Sequence, residues 1–147
     1  MHEAAFDGII SGIYRAAAGL GEWRIPLEGI AREFGLWAAQ IIGVDKRSGT
    51  LLFTVESGPM KGEGASPESA LDYLRTYHPV NPRLLPSMQL QLGEWMHCHE
   101  HFDDAYVATN AFYQDFLIPY GGRYLSGTKL VDSDQFLVMF GAMRRWR

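Results

Sequence analysis

Asn110-Ala111-Phe112-Tyr113-Gln114-Asp115-Phe116-Leu117-Ile118-Pro119-Tyr120-Gly121-Gly122-Arg123 reads as one helix with an aromatic face, a proline stop, a glycine turn and the start of a strand. Phe112, Tyr113, Phe116 and Leu117 fall at helical spacing. Pro119 brings no N–H to continue the helix, and Gly121-Gly122 supply turn chemistry. Beyond them, Arg123–Val131 and Gln135–Met143 read as two strands joined through Asp132-Ser133-Asp134. Both carry apolar or small residues on each face, which predicts central places in a sheet.

Working outward, Phe6, Ile9, Ile10, Ile13, Tyr14 and Ala17 form one helical stripe, ended by Gly19 and Gly21. Trp23, Leu27, Ile30, Ala31 and Phe34 form a second, with Pro26 in its first turn and Gly35 as its stop. The apolar run from Leu36 to Val44 meets Asp45-Lys46-Arg47-Ser48-Gly49, and Leu51, Phe53 and Val55 alternate after that turn, as in a hairpin. Ser57 to Ala65, with three glycines and Pro59, reads as a loop. Ser66-Pro67-Glu68 opens a third helix with inner face Ala70, Leu71, Leu74 and Tyr77, which His78-Pro79 ends. Asn81 to Pro86 reads as a connection, and a short strand is expected over Leu92 to Met96. Asp103 and Asp104 suit the first turn of a later helix.

Strands are thus expected near 37–44, 50–57, 92–96, 123–131 and 135–143, with helices segregated to the faces. The fold class is α+β, an α-β-α layered domain with a five-stranded, mainly antiparallel sheet. Its general build resembles that of PAS and GAF domains, which implies a ligand cavity between sheet and helices. The 147 residues suit a single domain spanning 1–147.

Composition narrows the function classes. A net charge of −4 argues against a nucleic-acid-binding face, and the one basic patch, Arg144-Arg145-Trp146-Arg147, reads as a solvated tail. The single cysteine, Cys98, excludes an internal disulfide and fits a cytoplasmic protein. No secretory signal or membrane span is expected. The serines show no G-x-S-x-G elbow, and no glycine-rich phosphate loop is present. The expectation is a binding domain without catalytic residues and without a cofactor.

The motif Phe112-Tyr113, Phe116-Leu117, Pro119, Gly121 is similar to "FYxxFLxPxG", a pattern of the N-terminal sensory halves of LuxR-type transcription regulators. Tyr77, Asn81-Pro82 and Trp95 resemble the "Y-x-x-x-D-P…W" order of autoinducer-binding domains in that family. There an acid binds the ligand amide; here Asn81 stands in its place, an acceptor without charge assistance. The resemblance implies a small-molecule ligand, a homodimer, and DNA contact only through a C-terminal domain that this chain lacks. Ligand-lining residues are expected among Trp37, Tyr73, Tyr77, Trp95, Phe112, Tyr113 and Phe116, with Asn81 at the rim. A neutral or anionic ligand fits better than a cationic one.

Trp95-Met96-His97-Cys98-His99-Glu100-His101 supports a competing class, a metal- or haem-binding sensor. On an extended segment His97, His99 and His101 would share one face. Contiguous ligands without a partner pair elsewhere favour a polar strand-to-helix connection instead, so no metal site is expected. A pure dimerisation module is the remaining alternative.

Overall fold

The computed structural model describes residues 1–58 and 65–146. Most of the loop expected over Ser57 to Ala65, and Arg147 of the basic patch, lie outside the described residues. The described residues form an α+β domain around a five-stranded sheet with strands β1 (Ala38–Asp45), β2 (Leu51–Ser57), β3 (Trp95–His97), β4 (Gly122–Asp132) and β5 (Phe136–Arg145). The order is β2-β1-β5-β4-β3, and every neighbouring pair is antiparallel. β5 is the central strand and β4 lies next to it, as their apolar faces demand.

Strand alternation sorts the side chains into two layers. Ala38, Ile42, Val44, Met139 and Met143 enter the larger core on the inner face. Ala39, Ile41, Val55, Phe140 and Ala142 face the other way, onto Leu27, Ala31 and Leu36. That outer face is covered by helix α2 (Arg24–Glu33). Helix α1 (Glu3–Ala17) packs on α2 and leaves Phe6 and Tyr14 exposed. Removing Leu27 from water contributes about 1.5–3 kcal/mol, enough to anchor α2.

The inner face is covered by short helical pieces, among them α3 (Pro67–Asp72), α4 (Leu84–Met88), α5 (Asp104–Thr109) and a π-helical turn at Phe112–Leu117. α3 starts at a capping box in which Ser69 N–H donates to Ser66 Oγ and Ser66 N–H to Ser69 Oγ, both at 3.1 Å. Ser66→Ala is expected to cost about 1 kcal/mol by urea denaturation, because losing the cap leaves a helix donor unsatisfied.

Three expectations need correction. The third helix does not run straight to His78: α3 gives way to a π-helical turn at Tyr73–Tyr77 and a 3-10 turn at His78–Val80. The segment 81–86 is not simply a connection, since α4 begins inside it. Pro86 sits in the first turn of α4, where no N–H is needed. The third strand covers only Trp95–His97, because Gly93 takes a left-handed φ of 78° and turns the chain just before it. Leu92 makes one parallel bridge to Lys129. Likewise Asn110 divides the aromatic helix from α5, its backbone extended and its side-chain oxygen accepting Phe112 N–H at 3.0 Å.

The turn after the aromatic helix is built as its sequence requires. Gly121 has φ 97°, which a side chain would strain. Trp37 Nε1 donates to Tyr120 O at 3.1 Å across this turn, and the Tyr120 hydroxyl donates to Asp72 of α3. The turn thereby joins the first strand, the last hairpin and the helical layer. Below it, buried Lys129 on the inner face donates from Nζ to Met88 O at 2.7 Å and holds the end of α4.

Candidate inner cleft

The inner face of the sheet has a polar strip where the neighbouring apolar residues predict more core. Gln40 on β1 and Glu56 on β2 are paired neighbours, and Thr54 shares their face. Gln40 Nε2 donates to Thr54 Oγ1 at 3.1 Å. Gly127 and Gly141 pair directly on β4 and β5, beside Gln40. With no side chains there, the floor of the sheet is lowered. A Cβ added at Gly141 would come within 3.0 Å of Leu125.

The helical layer closes over this strip with a chain of hydrogen bonds. His78 Nε2 donates to the carbonyl of Gly49 at 2.8 Å, which in the neutral ring leaves Nδ1 to accept from the Tyr73 hydroxyl at 2.8 Å. Asn81 Nδ2 donates to the same hydroxyl at 3.1 Å. Asn81 Oδ1 accepts from Arg83 N–H at 3.0 Å and from Arg83 Nε at 3.1 Å. Besides turning the chain, the Asn-Pro pair therefore aims a buried guanidinium. Arg83 is 4% exposed, and its guanidinium carbon lies 4.8 Å from the centroid of the Phe112 ring. Its Nη1 is buried with no hydrogen-bond partner among the described residues.

Two neighbouring spaces result, of about 30 Å³ and 40 Å³, each room for a water or two and smaller than the ligand cavity expected between sheet and helices. The first is bounded by Trp37, Glu56, Tyr73, Arg83 and Phe116, the second by Asn81, Leu125 and the glycine pair. Arg83 and Tyr73 belong to both. Glu56 is partly buried, and loss of water pushes its carboxyl up to about 7, against the pull of Arg83. No ion pair joins Glu56 to Arg83 among the described residues. Opposite charges thus face one gap without touching, and near neutral pH Glu56 can either donate or accept a hydrogen bond.

The expected ligand-lining residues divide into three groups. Trp37, Tyr73, Phe116 and Asn81 line the cleft. Tyr77 stacks on Phe116 at 4.6 Å, one layer above it. Phe112 and Tyr113 are core, 1% and 0% exposed; burial raises the Tyr113 hydroxyl to about 12. Trp95 is not brought to the cleft. It shares an outer-face register with Thr128 and Phe140, meets the Phe140 ring edge-on at 6.3 Å, and is 51% exposed. The alternation of β3 puts Met96, not Trp95, on the inner side.

Gln40, Glu56, His78 and Arg83 were not expected as site residues. Two signals were present: polar residues recurring at period two inside apolar strands, and one arginine within the proline-punctuated run Asn81 to Pro86. The histidine cluster is also differently arranged. Cys98–Glu100 is a 3-10 turn rather than an extension of the strand; the His97 and His99 rings stack at 5.9 Å, but His101 lies against Phe102 at 6.2 Å, so the three do not share one face. Cys98 is buried, its sulfur accepting Leu125 N–H at 3.1 Å, and His97 Nδ1 bonds Ser126 Oγ at 2.8 Å. Among the described residues no three His, Cys, Asp or Glu side chains come together to hold a metal. No helix among them is long and apolar enough to cross a membrane.

The chain matches no model of a known protein family and no curated protein sequence.

Proposed function

We propose that this is a small-molecule-sensing regulatory domain, whose inner cleft takes a small neutral or anionic ligand between Arg83 and Glu56. The observation that carries the reading is the idle Nη1 of Arg83, buried on a side chain that lines both small spaces of the cleft. A buried cationic donor without a partner is costly, and a ligand acceptor placed there recovers that cost. Glu56 fixes the ligand's other end. A carboxyl near 7 accepts from an amide or hydroxyl when ionised and donates to a carbonyl when protonated.

Two π-helical turns, Tyr73–Tyr77 and Phe112–Leu117, carry the aromatic roof. Such wide turns are short, and they recur at functional sites. They are the segments through which a ligand larger than the present space would be admitted, and through which its presence would reach the surface. With the motif resemblance, this supports the role of a LuxR-type sensory domain, coupled to DNA binding by a C-terminal domain. The exposed apolar side of α1 at Phe6 and Tyr14 supports dimerisation as the output. The role is binding and release, with no turnover.

The test is a thermal-shift screen of small amides, lactones and carboxylates on the wild type, with Arg83→Met beside it. At 100-fold excess over Kd, a true ligand is expected to raise Tm by about 5–10 °C. The variant keeps an unbranched apolar stem without the charge, so it should fold and lose that shift. A hit that stabilises both proteins equally would remove Arg83 from the site.

A further inference from the structure

Arg123 leaves β4 beside the bulge between Gly122 and Tyr124, at the edge of the helical layer. Its side chain is 1% exposed. The guanidinium lies 4.6 Å from the Tyr124 ring centroid and 5.3 Å from that of Tyr113. Nη2 donates to Asp104 Oδ1 at 3.3 Å, but Nε and Nη1 are buried without partners among the described residues. Its one counter-ion among the described residues is thus a carboxylate whose own side chain is 97% exposed and which makes a single long contact. So weak a pairing does little to compensate a buried charge.

An open groove of about 790 Å³ runs past this guanidinium. Arg144 and Arg145 bring further positive charge to it and His99 an imidazole, against the carboxylates of Asp103 and Asp104, and Phe102, Tyr124 and Trp146 bring aromatic surface. Arg144 lies over the Tyr124 ring at 5.4 Å, so Tyr124 is flanked by two guanidinia. The chain as a whole is acidic, which makes this local concentration of cations a feature of the groove and not of the surface at large.

We propose that the groove is an oxyanion site, taking a carboxylate or phosphate group carried on an aromatic or apolar body. The anion takes the place of the Asp104 carboxylate and satisfies the idle donors of Arg123, with Arg144 held on the Tyr124 ring beside it. The body lies against Phe102 and Trp146. Asp104 is then an internal competitor that the ligand displaces. The site lies apart from the inner cleft and does not depend on it.

Amide and indole NMR shifts of the whole chain, titrated with phenyl phosphate, benzoate and benzyl alcohol, test this. Saturable shifts at Tyr124, Arg144 and the Trp146 indole are expected with one or both anions and not with the alcohol; the anion that saturates names the source. Asp104→Asn, at a fully exposed position, should tighten binding about three- to tenfold, and Arg144→Gln should weaken it by a similar factor. The same titration in Arg83→Met, where the inner cleft is disabled, should give the same shifts. Benzyl alcohol saturating like the anions, no saturable shift at all, or an Asp104→Asn variant that binds no tighter would each overturn the proposal.

Discussion

Phe112→Ala is expected to lower the unfolding free energy by about 3–5 kcal/mol, the range for truncating a fully buried aromatic ring. Phe112 is 1% exposed and meets both Tyr113 and Phe116 at 5.5 Å between ring centroids. It also carries the Arg83 guanidinium on its face. Losing the ring leaves a cavity under the roof and takes away the cation–π support of a buried charge. In urea the midpoint should fall with little change in slope. Trp95→Ala, on the exposed outer face, should cost no more than about 1 kcal/mol. Equal losses for the two would mean that the division of rings between the faces is wrong.

The second large effect concerns pH. Glu56 titrates near 7 in the folded protein against an ordinary value of 4.5, because burial penalises its charge. A folded-state value above the unfolded one means that the folded protein binds the proton more tightly. The associated stability is fully present below about pH 4.5 and is lost as pH rises through 7. Over that window the loss amounts to about 2–3 kcal/mol, reduced from the full linkage value by the partial exposure of Glu56. Glu56→Gln should remove this part of the pH dependence and be the more stable protein at pH 8. A variant with the same slope as wild type between pH 5 and 8 would show Glu56 to be freely hydrated.

Much of the architecture was legible because it rests on local chemistry. Asp45 bonds the N–H groups of Arg47 and Ser48, so the first hairpin turn can be read from Asp45 to Gly49. Gly35 ends α2 with a left-handed φ of 60° for equally local reasons. The site was less legible, since it depends on which face of a strand looks inward. The alternation of Leu51, Phe53 and Val55 marks β2 as a strand but does not say which layer each residue meets. Phe53 and Val55 in fact turn outward, and Thr54 and Glu56 form the cleft wall. Trp95 fails for the same reason, as one step along a strand reverses the face. Arg83 was hidden by Pro82 and Pro86, which mimic a plain connection around a short helix.

The place of β5 sets the order in which this chain can assemble. Residues 136–145 are the last strand in sequence and the middle strand in space, and the β2-β1 and β4-β3 halves meet only across them. On the ribosome, neither half can find the other until nearly all of these residues have emerged. Most of the sheet's pairing then spans a long stretch of chain, which slows the search and leaves the open sides of β1 and β4 available to other chains meanwhile. A nascent chain cut before Phe136 should therefore be caught by chaperones as two unjoined ribbons, whereas one reaching past Arg145 should escape them.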